Sequence, residues 1–114
     1  MTRREASIER AACLAARRLG IDNIKQAFGH GWPDRLFLVP GGRPVFVEFK
    51  REGGKTTPLQ DRRIARLREL GYAVLVSSDV AEVVAALRAA LDAAQVPDSR
   101  DALACPARRR GAVP

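Results

Sequence analysis

Apolar residues recur at helical spacing in three places along the chain and run in strand-like blocks between them. In REASIERAACLAARRLG, Ile8, Ala11, Ala12, Ala15 and Leu19 fall on one stripe with arginines opposite, and Gly20 stands where a C-terminal cap belongs. The spacing predicts a first helix with one buried face. The short run NIKQAFG, residues 23 to 29, reads as a brief strand in which Ile24 and Lys25 face opposite ways. DRLFLVPGGRPVFVEFK carries a stronger pattern, two β-rich apolar runs flanking Pro40, Gly41, Gly42 and Arg43, which is the signature of an antiparallel hairpin. REGGKTT follows as a loop. PLQDRRIARLRELG then places Leu59, Arg63 or Ile64, Leu67 and Leu70 at helical spacing between Pro58 and Gly71, with Thr57 as the expected N-cap. YAVLVSS reads as a buried strand. Ser78 or Asp79 opens a last helix, VAEVVAALRAALDAA, with Val80, Val83, Val84, Leu87 and Leu91 on one face. The predicted order is α-β-β-β-α-β-α, an α/β chain with a β-hairpin.

At 114 residues the chain has room for one domain and one core. The expected domain spans 1–94, because from Gln95 onward the periodicity is lost and prolines and arginines gather, so 95–114 reads as a disordered basic tail. Twenty lysines and arginines against thirteen acids give a net charge of +7, and the sequence pI is near 10.7. Four arginines and two aspartates lie in the tail, so +5 stays with the domain. Such an excess favours a polyanionic partner. Two cysteines, Cys13 and Cys105, make neither a disulfide framework nor a zinc ligand set. No apolar run reaches the length of a membrane span. The expectation is a soluble, cytoplasmic protein that makes no membrane contact.

The chemistry lies at the end of the hairpin. Alternation in PVFVEFK puts Val45, Val47 and Phe49 on one face and Phe46, Glu48 and Lys50 on the other. Hairpin pairing brings Asp34, at the start of the preceding strand, beside Glu48. Two adjacent carboxylates repel unless one is protonated or a cation lies between them. A hard cation such as Mg²⁺ takes oxygen ligands and keeps waters, so Asp34, Glu48 and a nearby carbonyl suffice as the protein's share. Lys50 then stands where it can orient a water for attack on phosphorus and offset charge in the transition state. By spacing alone, a simple salt bridge between Glu48 and Lys50 explains the same residues.

Gly31-Trp32-Pro33-Asp34-Arg35, Val47-Glu48-Phe49-Lys50, Gly53-Gly54 and Pro58-Leu59-Gln60 together resemble the PD-(D/E)xK nuclease superfamily and, within it, the small VRR-NUC (virus-type replication-repair nuclease) domains. The likeness covers roughly residues 5 to 90. It implies a restriction-endonuclease-like core, a central mixed sheet flanked by helices, and cleavage of DNA phosphodiesters with one or two Mg²⁺ or Mn²⁺ ions. Carried over residue by residue, it assigns Glu9, or Glu5 as the alternative, to the first-helix acid, Asp34 and Glu48 to the metal, Phe49 to a backbone carbonyl ligand, Lys50 to the catalytic lysine and Gln60 to support of the site. Gln60 also fits a purely structural place in the first turn of its helix.

Lys25, Arg35, Arg51 and Lys55 flank these positions in sequence and are candidates for phosphate contacts, which position a nucleic acid without reading it. The expected enzyme is an endodeoxyribonuclease selective for branched duplex, such as a flap or Holliday junction, acting as a homodimer in phage-type replication, recombination or repair. A non-catalytic DNA-binding module and a sequence-reading restriction-type nuclease are the alternatives.

Overall fold

The computed structural model of the chain describes residues 1–94. The tail expected at 95–114 lies outside the described residues.

Helix α1 (Arg3–Arg18) starts on a reciprocal cap, in which the Thr2 hydroxyl accepts from Glu5 N–H and the Glu5 carboxylate accepts from Thr2 N–H. It ends before Gly20, whose φ of 80° turns the chain back into the sheet. Strand β1 (Asp22–Lys25) pairs antiparallel with β2 (Arg35–Leu38), and β2 pairs antiparallel with β3 (Val45–Phe49). Helix α2 (Pro58–Glu69) then carries the chain over, and β4 (Ala73–Ser77) lies parallel to β3. Helix α3 (Val80–Ala94) follows an Asp79 cap, where the Asp79 carboxylate accepts from Ala81 N–H at 2.9 Å. The sheet order is β1-β2-β3-β4. The element order is the one the hydrophobic pattern predicts, and the mixed sheet with flanking helices is the one the resemblance implies.

Each face of the sheet has its own apolar cluster. Val45, Val47 and Phe49 join Phe37, Ile21, Ala12, Ala16, Val83 and Leu87 beneath α1 and α3. On the opposite face Phe46, Val74 and Val76 pack with Ile64 and Leu67 of α2. Helix α2 packs on β4, and β1 and β2 are less covered on that face, leaving Ile24 50% and Leu38 41% exposed.

Two local expectations are corrected. The first strand stops at Lys25 instead of running to Gly29, because Gln26 folds the chain on itself: its side-chain oxygen accepts from Phe28 N–H at 2.7 Å and its amide donates to Gly29 O at 3.2 Å. The buried stripe of α1 is also rotated relative to the apolar reading. Glu9, Ala12, Cys13 and Ala16 face inward while Ala11 is exposed. A carboxylate occupies that stripe because two cations from the sheet meet it there.

Candidate active site

The site grows from the register of the hairpin. Arg35 opposes Val47, so Asp34, one residue before β2, falls alongside Glu48. Asp34 Oδ2 accepts from Phe49 N–H at 2.9 Å, taking the place of a carbonyl in the ladder. The loop that delivers Asp34 lies tight against α2: a Cβ at Gly31 would stand 2.6 Å from Leu59 Cγ. On β3, Glu48 turns toward α2 while its neighbours Val47 and Phe49 fill the opposite core. Its Oε2 accepts from Lys50 Nζ at 3.1 Å and from Gln60 Nε2 at 3.0 Å.

Gln60 does two things at once. Its side-chain oxygen accepts from Thr57 N–H at 2.9 Å, completing the α2 capping box, and its amide nitrogen holds Glu48. The structural and supporting places foreseen for Gln60 are the same place. Any shift in the start of α2 therefore moves the Glu48 carboxylate.

Asp34 and Glu48 are both buried enough that the charged form is disfavoured. Burial is the main reason the Asp34 carboxyl titrates above its ordinary range, against the Phe49 N–H and Lys25, which pull it down. Burial also leads for Glu48, with the Asp34 charge adding to it and Lys50 opposing. Glu48 Oε1 is buried with no hydrogen-bond partner. A buried carboxylate oxygen beside a second carboxylate is a place that a cation would satisfy. No group of three or more His, Cys, Asp and Glu side chains converges among the described residues. The donor set is two carboxylates and the main chain, which fits a hard cation that keeps several waters.

The remaining predicted residues divide. Glu9 is buried under the other face of the sheet, where Lys25 Nζ donates at 2.9 and 3.2 Å and Arg35 Nε donates to Oε2. Arg35 also donates to Asn23 Oδ1 at 2.9 Å. Lys25 and Arg35, expected as phosphate contacts, are thus paired with Glu9, with the Lys25 side chain still half-exposed. Glu5 instead reaches the end of β3, accepting from Arg51 N–H at 3.2 Å, and its charge adds to the rise of Glu48. The Arg51 and Lys55 side chains are exposed beyond the strand end. His30 is exposed as well. One neighbour escaped the sequence reading: Arg63 lies over Trp32, two residues before Asp34, with Cζ 4.6 Å from the ring centroid. Its spacing of three from Gln60 was the available signal.

No protein-family model matches the chain. It is 40% identical over 90 residues to "Putative nuclease p44" of Acyrthosiphon pisum secondary endosymbiont phage 1, covering 74% of this chain and 95% of the phage protein. A solved structure described as a VRR_NUC domain superposes with a TM-score of 0.69 at 29% identity, over 76% of this chain and 97% of that one. The acidic pair on the hairpin, its lysine and its glutamine therefore sit in a fold shared with that domain, and the chain belongs to the VRR-NUC nuclease family.

Proposed function

We propose that the chain is a Mg²⁺- or Mn²⁺-dependent endodeoxyribonuclease acting on branched duplex DNA. The observation that carries the reading is the pair Asp34 and Glu48, both raised by burial, with Glu48 Oε1 unpartnered. Asp34, Glu48 and the Phe49 carbonyl would hold the metal. When bound, the ion supplies Lewis-acid polarisation of the phosphodiester and neutralises charge developing on its oxygens.

The chain's own residues supply the rest. Lys50, tied to Glu48 at 3.1 Å, is placed to orient the attacking water and to offset negative charge on the phosphoryl oxygens. Gln60 fixes the Glu48 carboxylate through the cap of α2. Of the first-helix acids, Glu9 raises the Asp34 carboxyl from beneath the sheet, and Glu5 approaches the strand end directly. Either can complete the acidic set, Glu9 only by releasing a cation. Arg51 and Lys55, exposed past the strand, are offered as phosphate contacts.

Shape selectivity is offered because the exposed basic residues nearest the acidic pair, Arg51 and Lys55, are of the kind that contacts phosphate without reading bases. A pair of copies is supported by exposed apolar residues on β1, β2 and the loop after β1, namely Ile24, Leu38 and Phe28. The decisive experiment incubates the purified protein with linear, flap and four-way DNA in Mg²⁺, Mn²⁺ or EDTA. Metal-dependent cutting of the branched substrates above the linear one is expected. Equal cutting in EDTA would overturn the metal requirement, and a preference for linear DNA would overturn the substrate class.

A further inference from the structure

We propose that Arg63, held over Trp32, forms a binding subsite for a backbone phosphate beside the Asp34 and Glu48 pair. The inference rests on the nuclease reading and adds to it a residue and a ligand group. Its starting point is a donor without an acceptor: Arg63 Nε is buried and has no hydrogen-bond partner. No carboxylate lies within salt-bridge distance of Arg63 among the described residues. The other arginines of α2 are placed differently. Arg66 pairs with Glu69 at 3.4 Å, Arg68 donates to Val74 O at 2.8 Å, and Arg62 is exposed.

Arg63 is half-buried, and its Nε–H is the part of the guanidinium that is enclosed without an acceptor. Stacking on Trp32 compensates only through the flat face of the group. Its N–H bonds point along the edge, where an acceptor in that plane can be gripped by them. A phosphate, with paired oxygens and negative charge, matches that edge better than a neutral partner does.

Position selects the same ligand. Arg63 is one turn beyond Gln60 on α2, hence on the same side of the helix as the amide that holds Glu48. Trp32 is in the segment that delivers Asp34. The stem of Arg63 is fixed against that segment, since a Cβ at Gly31 would stand 3.2 Å from Arg63 Cγ, and Gly31 has a φ of 87° that favours glycine. Arg63 is thereby set where the segment that delivers Asp34 meets the helix whose Gln60 holds Glu48. The proposed occupant is a phosphate of the same strand as the one at the carboxylates.

The test uses Arg63→Gln and Arg63→Lys in the full chain, with binding of a fluorescein-labelled branched duplex followed in EDTA over a range of salt. Arg63→Gln is expected to weaken binding about ten-fold. The slope of log affinity against log salt is expected to fall by about one, since one phosphate contact is lost. Arg63→Lys keeps the charge and is expected to retain the slope with a smaller loss. Because Trp32 is the only tryptophan, its emission reports the same site. DNA is expected to change that emission in the wild type and to leave it unchanged in Arg63→Gln. The maximal cleavage rate at saturating DNA is expected to stay within a few-fold of wild type.

Unchanged affinity and slope in a folded Arg63→Gln would overturn the subsite while leaving the nuclease reading intact. A wild type that neither binds nor cuts DNA would overturn both. If Arg63→Gln fails to fold, the wild-type emission decides: a Trp32 signal indifferent to bound DNA overturns the subsite, and a change that Arg63→Lys alters supports it.

Discussion

Two buried carboxylates, Glu9 and Glu48, are 4% and 3% exposed and sit on opposite faces of one sheet, yet their surroundings differ in kind. Glu9 meets Lys25 and Arg35, and both of its oxygens are engaged. Glu48 meets Lys50 and Gln60 on one oxygen, keeps the other without a partner, and has Asp34 beside it adding to its discomfort. The first arrangement is what a fold does when a buried charge serves packing: it surrounds the charge until nothing is missing. The second leaves something missing. A buried acid with a vacant oxygen and a like-charged neighbour destabilises the fold by itself, and such strain is tolerated where a ligand relieves it.

The sharpest way to break this comparison is to neutralise the unsatisfied pair. Asp34→Asn and Glu48→Gln are each expected to lower cleavage by more than about 10³, because a metal-ligand charge is lost while shape is kept. Gel-based cleavage of a flap substrate by the folded variants checks this. Wild-type turnover in either would place the chemistry elsewhere.

Lys50 gives the next largest effect. Lys50→Ala is expected to lose roughly 10² to 10³ in rate at saturating DNA with little change in DNA affinity, as for one preorganised electrostatic group. A normal maximal rate would reduce Lys50 to a counter-ion of Glu48.

Glu9 is where the two regions separate most cleanly. Glu9→Gln leaves Arg35 and Lys25 without their carboxylate, and with Lys25 half exposed the expected cost is about 2 kcal/mol of stability. Thermal melting in EDTA reads this as a Tm lowered by roughly 10 °C. A larger loss of cleavage than of stability would instead make Glu9 part of the metal set.

The smallest effect concerns pH. A carboxyl whose folded pKa is raised binds its proton more tightly when folded, so the folded state gains stability as pH falls through that raised value and loses it as pH rises through the window above the unfolded pKa. Without metal, Asp34→Asn is therefore expected to raise Tm at pH 7 by roughly 2–5 °C, the advantage vanishing at pH below the unfolded carboxylate range. Melting curves of both proteins in EDTA across pH check the sign. A variant less stable than wild type at pH 7 would show that Asp34 is a satisfied structural acid like Glu9.

Much of this was legible in the sequence, for reasons that differ by residue. The juxtaposition of Asp34, Glu48 and Lys50 follows from strand alternation and a short hairpin, both local rules. Thr57, Pro58 and Gln60 announce their helix start by residue type alone. What local rules miss is partnership across the sheet. The resemblance assigns Glu9 to the first-helix acid, and its pairing with two cations is invisible in the sequence because they are 16 and 26 residues away and only packing brings them together. Lys25 and Arg35 read as free basic residues for the same reason. The meeting of Arg63 with Trp32 likewise depends on how closely the Gly31 backbone approaches α2, which no periodicity encodes.

The bond from Phe49 N–H to Asp34 has a dynamic consequence. That amide lies in the strand between β2 and β4, and its acceptor is a side chain on the site instead of a neighbouring strand. Its hydrogen-exchange protection thus reports whether Asp34 is in place, and fraying of the sheet at this end releases the acid in the same event. Because Val47 and Phe49 are fully buried, opening wide enough to displace Glu48 approaches global unfolding. Glu48 is consequently expected to stay in place until the domain melts, with Asp34 as the more mobile member of the pair.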